Sequence, residues 1–169
     1  YTFGNVVGAN TSHLLPTSTR FTAGAAHHDV WSSGLPNDVP RSSEMVYAGL
    51  DNEHENMRFK PFFHYTGTHA EGQDGWNHTV RGGFRGPISD YLSLLTDAGY
   101  FWTDASEKSS LLWNLRLDHD INSTTSQSLR FARTTTCPLQ SIQTTVGYML
   151  RKTFGPDLRA EAVAERSQY

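Results

Sequence analysis

The chain lacks most features that announce a particular chemistry. Cys137 is its single cysteine, so no intramolecular disulfide framework is open to it. It has no run of about 18 apolar residues, which excludes a transmembrane helix. It contains no Gly-x-Ser-x-Gly elbow, no phosphate-binding loop, no Cys-x-x-Cys pair and no His-Glu-x-x-His helix. Without these it reads as a non-enzyme with no cofactor and no metal. Charge of one sign is missing too: 14 Lys and Arg stand against 17 Asp and Glu, for a formal net charge of -3, so no basic surface is offered to nucleic acid. Even apolar residues are scarce, at 37%, thin for a soluble core, while aromatics reach 12%. A β-barrel with a wet interior gives this mixture, because its apolar residues cover one face only. The first residue is Tyr1, with neither Met nor a signal peptide before it, so the sequence reads as a processed chain or a fragment. Its 169 residues make one domain, 1–169.

What the chain does have is alternation, clearest from Asp90 to Thr136. Leu92, Leu94, Thr96, Ala98, Tyr100 and Trp102 share one parity, against Tyr91, Ser93, Asp97, Gly99 and Thr103, with Leu95 and Phe101 as exceptions. Next, Leu111, Trp113, Leu115, Leu117 and Ile121 alternate with Leu112, Asn114, Arg116, Asp118 and Asp120. A weaker third run sets Leu129 and Phe131 against Arg130 and Ala132. Period two means extended strands with one apolar and one polar face, since a helix would scatter Arg116, Asp118 and Asp120 around its axis.

Weaker runs fill the rest. Strands are expected at Tyr1–Asn10, Thr19–His28, Glu44–Leu50, Met57–Thr66, Thr79–Ile88, Gln143–Thr153 and Leu158–Glu165. Pro61 argues for a bulge or frayed pair, because it cannot donate to a ladder. The last run, LRAEAVAERSQ, has helix-forming composition and is assigned to a strand because the pattern carries over. Short turns fall near Asn52, Pro87, Ser123 and Pro156, a repeat of layout at roughly 35 residues. They are expected at Asp51–Asn56, Gly86–Asp90, Asn122–Thr125 and Gly155–Asp157, at one end of the sheet. Longer polar loops at Asp29–Ser43, Gly67–Asn77, Asp104–Ser110 and Thr135–Ser141 belong at the other. The fold expected is all-β: an up-and-down antiparallel β-barrel, or a segment of one, of about ten strands.

Parity also assigns faces. Phe84, Leu94, Leu115, Leu117, Val146 and Leu150 are expected to face lipid or a hydrophobic partner. Arg58, Lys60, Arg81, Arg85, Asp97, Arg116, Asp118, Arg130 and Arg151 are the candidates for a water-filled lumen, with Arg116 near Asp97 and Asp118 diagonal to Arg130. Basic residues outnumber acids in this set, which draws in anions. Trp31, Tyr65, Trp76, Tyr100, Trp102 and Trp113 lie beside the long loops, where an aromatic girdle meets a membrane interface. Aromatics near strand ends are equally an ordinary feature of β proteins. Asp118-His119-Asp120 puts both carboxylates on one side and His119 on the other, a polar cluster rather than a site. His27, Asp29, His69 and His78 are the metal-ligand types that loops could gather, but three or four ligands at fixed geometry are needed, and solvated histidines are the better reading.

The run TVRGGFRGPISDYLSLLTDAGYFWTD, followed by LLWNLRLDHDINSTTSQSLRFARTTT, resembles the outer-membrane β-barrel porins of Gram-negative bacteria. The resemblance rests on Arg81-Gly82, Gly86 to Asp90, Gly99-Tyr100, Asn122 to Ser126 and Ser128 to Arg133, which is hairpin grammar rather than a site. It implies a barrel in the bacterial outer membrane, usually without an assigned substrate, linked in some members to export of surface polysaccharide. It carries over no functional residue. Such barrels end in a strand closed by an aromatic. Tyr169 fits, Arg166, Ser167 and Gln168 do not look like that strand, and the chain is expected to stop short of a whole barrel. The reading is therefore a pore or surface scaffold partnered by the lipid bilayer, passing small anions or saccharides. The first rival is a secreted β-sheet protein that binds carbohydrate through exposed aromatics; the second is an enzyme assembled from loop histidines.

Overall fold

The computed structural model describes residues 2–32, 41–136, 141–155 and 158–168, with the side chains of 2–4, 30–32, 41, 107, 136 and 141 excepted. Ten strands form one antiparallel sheet in chain order: β1 (Thr2–Leu14), β2 (Thr19–Ser32), β3 (Arg41–Asn52), β4 (Lys60–Ala70), β5 (Asn77–Ser89), β6 (Leu92–Thr103), β7 (Ser106–Asn122), β8 (Thr125–Thr136), β9 (Ser141–Thr153) and β10 (Arg159–Gln168). No helix occurs among the described residues. The all-β, up-and-down reading is correct. The strand order begins at β1 and ends at β10, and the sheet is not closed into a barrel. The chain divides into two compact units, 1–54 with 62–81 and 100–110, and 55–61 with 82–99 and 111–169.

Most strands outrun their hydrophobic patterns. β1 continues to Leu14, and its turn shrinks to the residues around Ser18, which holds a positive φ of 56°. β2 and β3 take in Asp29–Ser32 and Arg41–Ser43, expected as loop; residues 33–40 lie outside the described residues. β4 starts only at Lys60, leaving Met57–Phe59 in the connection, and runs on to Ala70. Pro61 falls just beyond the last β3–β4 pair, Asp51 with Phe62, so it interrupts nothing there. Gly86-Pro87 is strand rather than turn, and the chain reverses at Asp90-Tyr91. Asp104–Ser110 is the clearest correction: β6 ends at Thr103, β7 begins at Ser106, and a two-residue turn joins them. Ladder hydrogen bonds use backbone groups only, so polar residues extend a strand as readily as apolar ones once a neighbour is there to pair with.

Connection length therefore does not sort the two ends. The expected long loop at Asp104–Ser110 is a tight turn, whereas the expected short turn after β3 occupies Glu53–Phe59. Residues 137–140 and 156–157, which hold Cys137 and most of two expected connections, lie outside the described residues. The helix-like tail is a strand: β10 pairs with β9 from Arg159–Thr153 through to Gln168–Thr144, and it includes Arg166, Ser167 and Gln168. Pairing outweighs the intrinsic propensity of an Ala- and Glu-rich run.

The two faces are sorted by parity. On β7 and β8, Leu115 lies opposite Phe131 and Leu117 opposite Leu129, while Arg116 lies opposite Arg130 and Asp118 opposite Ser128. Directly opposed residues share a face. Val146 and Leu150 on β9 follow the apolar row, and Arg151 follows the polar one. The apolar residues that are buried are Phe101, Leu112 and Ala132, and all three have the parity of the polar row on their strands. So do the buried polar residues Asn77, Thr103, Ser110, Ser128 and Thr145. The apolar parity instead carries well-exposed side chains, among them Phe21, Leu50, Phe63, Phe84, Leu111 and Val146. The buried side chains thus lie on the polar face, which still leaves Val6, Leu14 and Val163 of the same parity exposed.

Candidate functional site

The polar row is the first candidate site. In the unit containing β8 to β10 it starts at Gly83, where a Cβ would come within 2.1 Å of the Thr96 carbonyl oxygen and 2.6 Å of the Asp97 Cβ, so no side chain fits between β5 and β6. That contact places Asp97 on the face of Gly83 and Arg85. Asn114 Nδ2 donates to Asp97 Oδ2 at 3.0 Å. Arg116 does not reach for Asp97, as parity suggested. It turns along its own strand, and its Nε donates to Asp118 at 3.0 Å. Asp118 is diagonal to Arg130 in register, but its carboxylate is taken by Arg116. Arg151 lies opposite Glu161 and donates to it from Nε at 3.2 Å and from Nη2 at 3.1 Å.

Register also corrects the charge argument. β7 and β10 bring Asp120, Glu161 and Glu165 onto this face. Arg85, Arg116, Arg130, Arg151 and Arg159 then stand against Asp97, Asp118, Asp120, Glu161 and Glu165, and with Lys60 and Arg81 on the same row these bases outnumber these acids by two. Asp120 and β10 reduce the expected basic surplus without removing it.

In the other unit the same row holds Arg20 opposite Asp51. Arg20 makes a forked pair with Glu53, Nε to Oε1 at 2.7 Å and Nη2 to Oε2 at 2.9 Å. The hydrogen bond to Glu53, and then its negative charge, hold the Arg20 guanidinium above its ordinary pKa. His64 Nε2 lies 2.9 Å from Asp51 Oδ2. Arg81 on β5 has the parity of Arg85. Lys60, at the start of β4 and within the unit of β8 to β10, has the parity of His64. Arg58 is a correction: it lies outside any strand, and its Nε donates to the Pro87 carbonyl at 2.8 Å while its guanidinium sits over the Phe59 ring. It anchors a turn and does not join the row.

An aromatic ledge on the apolar parity is the second candidate. Tyr65 Oη lies 2.8 Å from His78 Nδ1, and His78 Nε2 lies 3.2 Å from Asp104 Oδ2. The imidazole stacks on Trp102 at 4.9 Å between centroids, and Trp102 on Tyr100 at 6.2 Å. His69 stacks on Trp76 at 5.7 Å and takes the Gly75 carbonyl at 2.9 Å. Gly67 leaves room between the groups, since a Cβ there would come 3.0 Å from Tyr65 Oη and 3.4 Å from Trp76 Cε3. Thus Tyr65, Trp76, Tyr100 and Trp102 do gather. Trp113 belongs to the other unit, and Trp31 is on β2 opposite Phe3 with its side chain outside the described residues. Sequence reading missed the polar members: His78 was treated as a loop residue and Asp104 as part of a loop, although His78 shares the parity of Val80 and Phe84.

His119 stands apart from Asp118 and Asp120, as its parity requires. Its Nδ1 meets Gln127 Nε2 at 3.0 Å, and Gln127 Oε1 accepts from Tyr148 Oη at 2.9 Å. His27 and Asp29 share a face at 3.0 Å, with Glu44 3.9 Å from His27, but no group of three His, Cys, Asp or Glu among the described residues is arranged to hold a metal ion.

No protein-family model, curated protein or solved structure matches this chain.

Proposed function

We propose that this sheet works in a membrane, closed as a β-barrel of the bacterial outer membrane, with the polar row lining its interior and the apolar row against lipid. The observation that carries the reading is the inverted burial. Leu112 on the polar parity of β7 is 1% exposed, while Leu111 beside it is 62% exposed. In water that arrangement gives up the hydrophobic stabilisation that a second layer would supply. In lipid the same apolar face is at home, and closure removes the two sheet edges whose backbone groups a bilayer cannot satisfy. Strands of 10 to 17 residues meet the span of about 9–11 that a tilted strand needs. The ledge of Tyr65, His78, Trp102 and Tyr100 and the His119–Gln127–Tyr148 cluster are ring faces with polar tips, as suits a membrane–water boundary. The pairs Arg116–Asp118 and Arg151–Glu161 leave its lining with a small basic surplus, so a pore of this kind passes uncharged polar solutes such as saccharides as well as small anions.

Detergent extraction followed by gel electrophoresis with and without boiling tests the reading. A folded barrel migrates faster unboiled than boiled. Extraction in buffer alone, with no shift on boiling, would falsify it. The stacked rings of Tyr65, His78 and Trp102 favour one rival, a secreted sheet that uses them as a flat platform for sugars. That rival predicts full solubility without detergent.

A further inference from the structure

The polar row ends in an open cleft of about 490 Å³ that the pore reading does not use. Three hairpin segments build it. The β5–β6 turn gives Asp90 and Tyr91, β7 and its turn give Asp120 and Asn122, and β8 and β9 give Ser126 and Arg151. Backbone bonds fix the segments to one another: Asp120 N donates to the Tyr91 carbonyl at 2.8 Å, and Thr153 N to the Thr124 carbonyl at 2.8 Å. Asn122 Oδ1 is occupied, accepting from Thr124 N at 3.0 Å and Thr124 Oγ1 at 2.9 Å, so its amide hydrogens remain to face the cleft. Arg151 is held by Glu161 through Nε and Nη2, which leaves Nη1 as a fixed donor. Asp90, Asp120 and the Tyr91 hydroxyl have no side-chain hydrogen-bond partner among the described residues. Tyr91 is 65% exposed, a large aromatic surface left in solvent beside two unused carboxylates.

We propose that this cleft binds a neutral oligosaccharide. Its volume lies in the range of about 300–1,000 Å³ typical of small-molecule sites. Its charge excludes anions, because Asp90 and Asp120 face a single arginine already neutralised by Glu161. What remains is a ring face and a set of strong acceptors with two fixed donors. A pyranose presents the complement: an apolar C–H face to lie on Tyr91, and hydroxyls that donate to Asp90 and Asp120 in charge-assisted bonds and accept from Arg151 and Asn122. Preformed hydrogen-bonded walls lower the ordering cost of binding. The proposal rests on the membrane reading only for where the cleft opens, at one end of the barrel's interior; the binding chemistry is the cleft's own.

Saturation-transfer NMR and calorimetry on the full chain in detergent micelles test it, with maltotetraose, cellotetraose, chitotetraose and mannotetraose as neutral probes and tetragalacturonate as the acidic one. At least one neutral probe binds, and tetragalacturonate binds more weakly. Tyr91→Ala and Asp120→Asn each weaken binding by about tenfold or more, the scale of one lost buried contact or one unpaired hydrogen-bonding group. Phe63→Ala, on the apolar face of the other unit, leaves it unchanged. Tyr91 is an exposed turn residue, and Asp90→Asn serves as a second variant should Tyr91→Ala lose its β-sheet circular dichroism. Binding of none of the neutral probes overturns the proposal. So does equal binding of tetragalacturonate, calcium binding that the sugars do not affect, or sugar binding indifferent to these substitutions. Gel migration of the same sample separates the two readings: a heat shift without sugar binding removes the cleft alone, and binding without a heat shift removes the membrane.

Discussion

Leu111 and Leu112 are chemically identical neighbours on one strand, yet the first is left in the open and the second is the largest fully buried side chain among the described residues. The difference is one residue of parity. Leu112 shares its side of β7 with Asn114, Arg116 and Asp118, and Leu111 shares its side with Trp113, Leu115 and Leu117. The fully buried side chains take the polar face, although Arg116 and Asp120 on that face of β7 are exposed and Leu115 and Leu117 on the other are half-buried, so hydrophobicity alone does not decide which leucine is enclosed. Phe101 repeats the lesson on β6. Of the two residues that broke the alternation there, Phe101 is enclosed as an apolar plug in a polar-lined face, and Leu95 is half-buried.

The comparison can be broken most forcefully at Leu112. Leu112→Ala is expected to cost about 2–5 kcal/mol of unfolding free energy, as buried leucines do, whereas Leu111→Ala should stay below about 1 kcal/mol. Denaturant titration of both variants in the same micelles decides it, and equal losses would mean that enclosure on the polar face has no energetic content. Next comes Leu115→Arg. If its row meets lipid, the charge costs about 2–4 kcal/mol in liposomes, and if it meets water the change stays within about 0.5 kcal/mol. Unfolding equilibria in liposomes separate these outcomes.

Two glycines sharpen the contrast within the polar row. A Cβ on Gly83 would strike the β6 backbone, so Gly83→Ala should cost about 1–3 kcal/mol or more. A Cβ on Gly147 would meet only the Glu165 Cγ at 3.9 Å, and Gly147→Ala should be close to neutral in the same assay. The smallest effect on stability is expected from Glu161→Gln. Its pair with Arg151 is well exposed, and such pairs contribute about 0–1 kcal/mol. If the proposed pore forms, removing one acid from the row should shift its preference further toward anions in planar-bilayer recording. An unchanged reversal potential would mean that ions do not pass along this row.

Alternation by itself determined that the chain is all-β, that it has ten strands, and that Leu115 and Arg116 take opposite faces. Those properties follow from a two-residue repeat, which each strand carries in its own side chains. Strand ends were less legible. Ser106 to Ser110 and Gly67 to Ala70 have no apolar pattern, and only a neighbouring strand's unpaired backbone makes them extended. Register was legible only at the β7–β8 hairpin, where the short turn sets Asp118 diagonal to Arg130. Whether Arg116 meets Asp97 or Asp118, and how far Glu161 and Glu165 offset the arginines, depends on which residues the ladder sets opposite each other. The cleft depends on it further, since Tyr91, Asp120 and Arg151 lie far apart in the chain and meet only because β5 to β9 pair in order. A strand's sequence specifies its two faces; pairing between strands specifies its neighbours, and the chemistry of this protein lies with the neighbours.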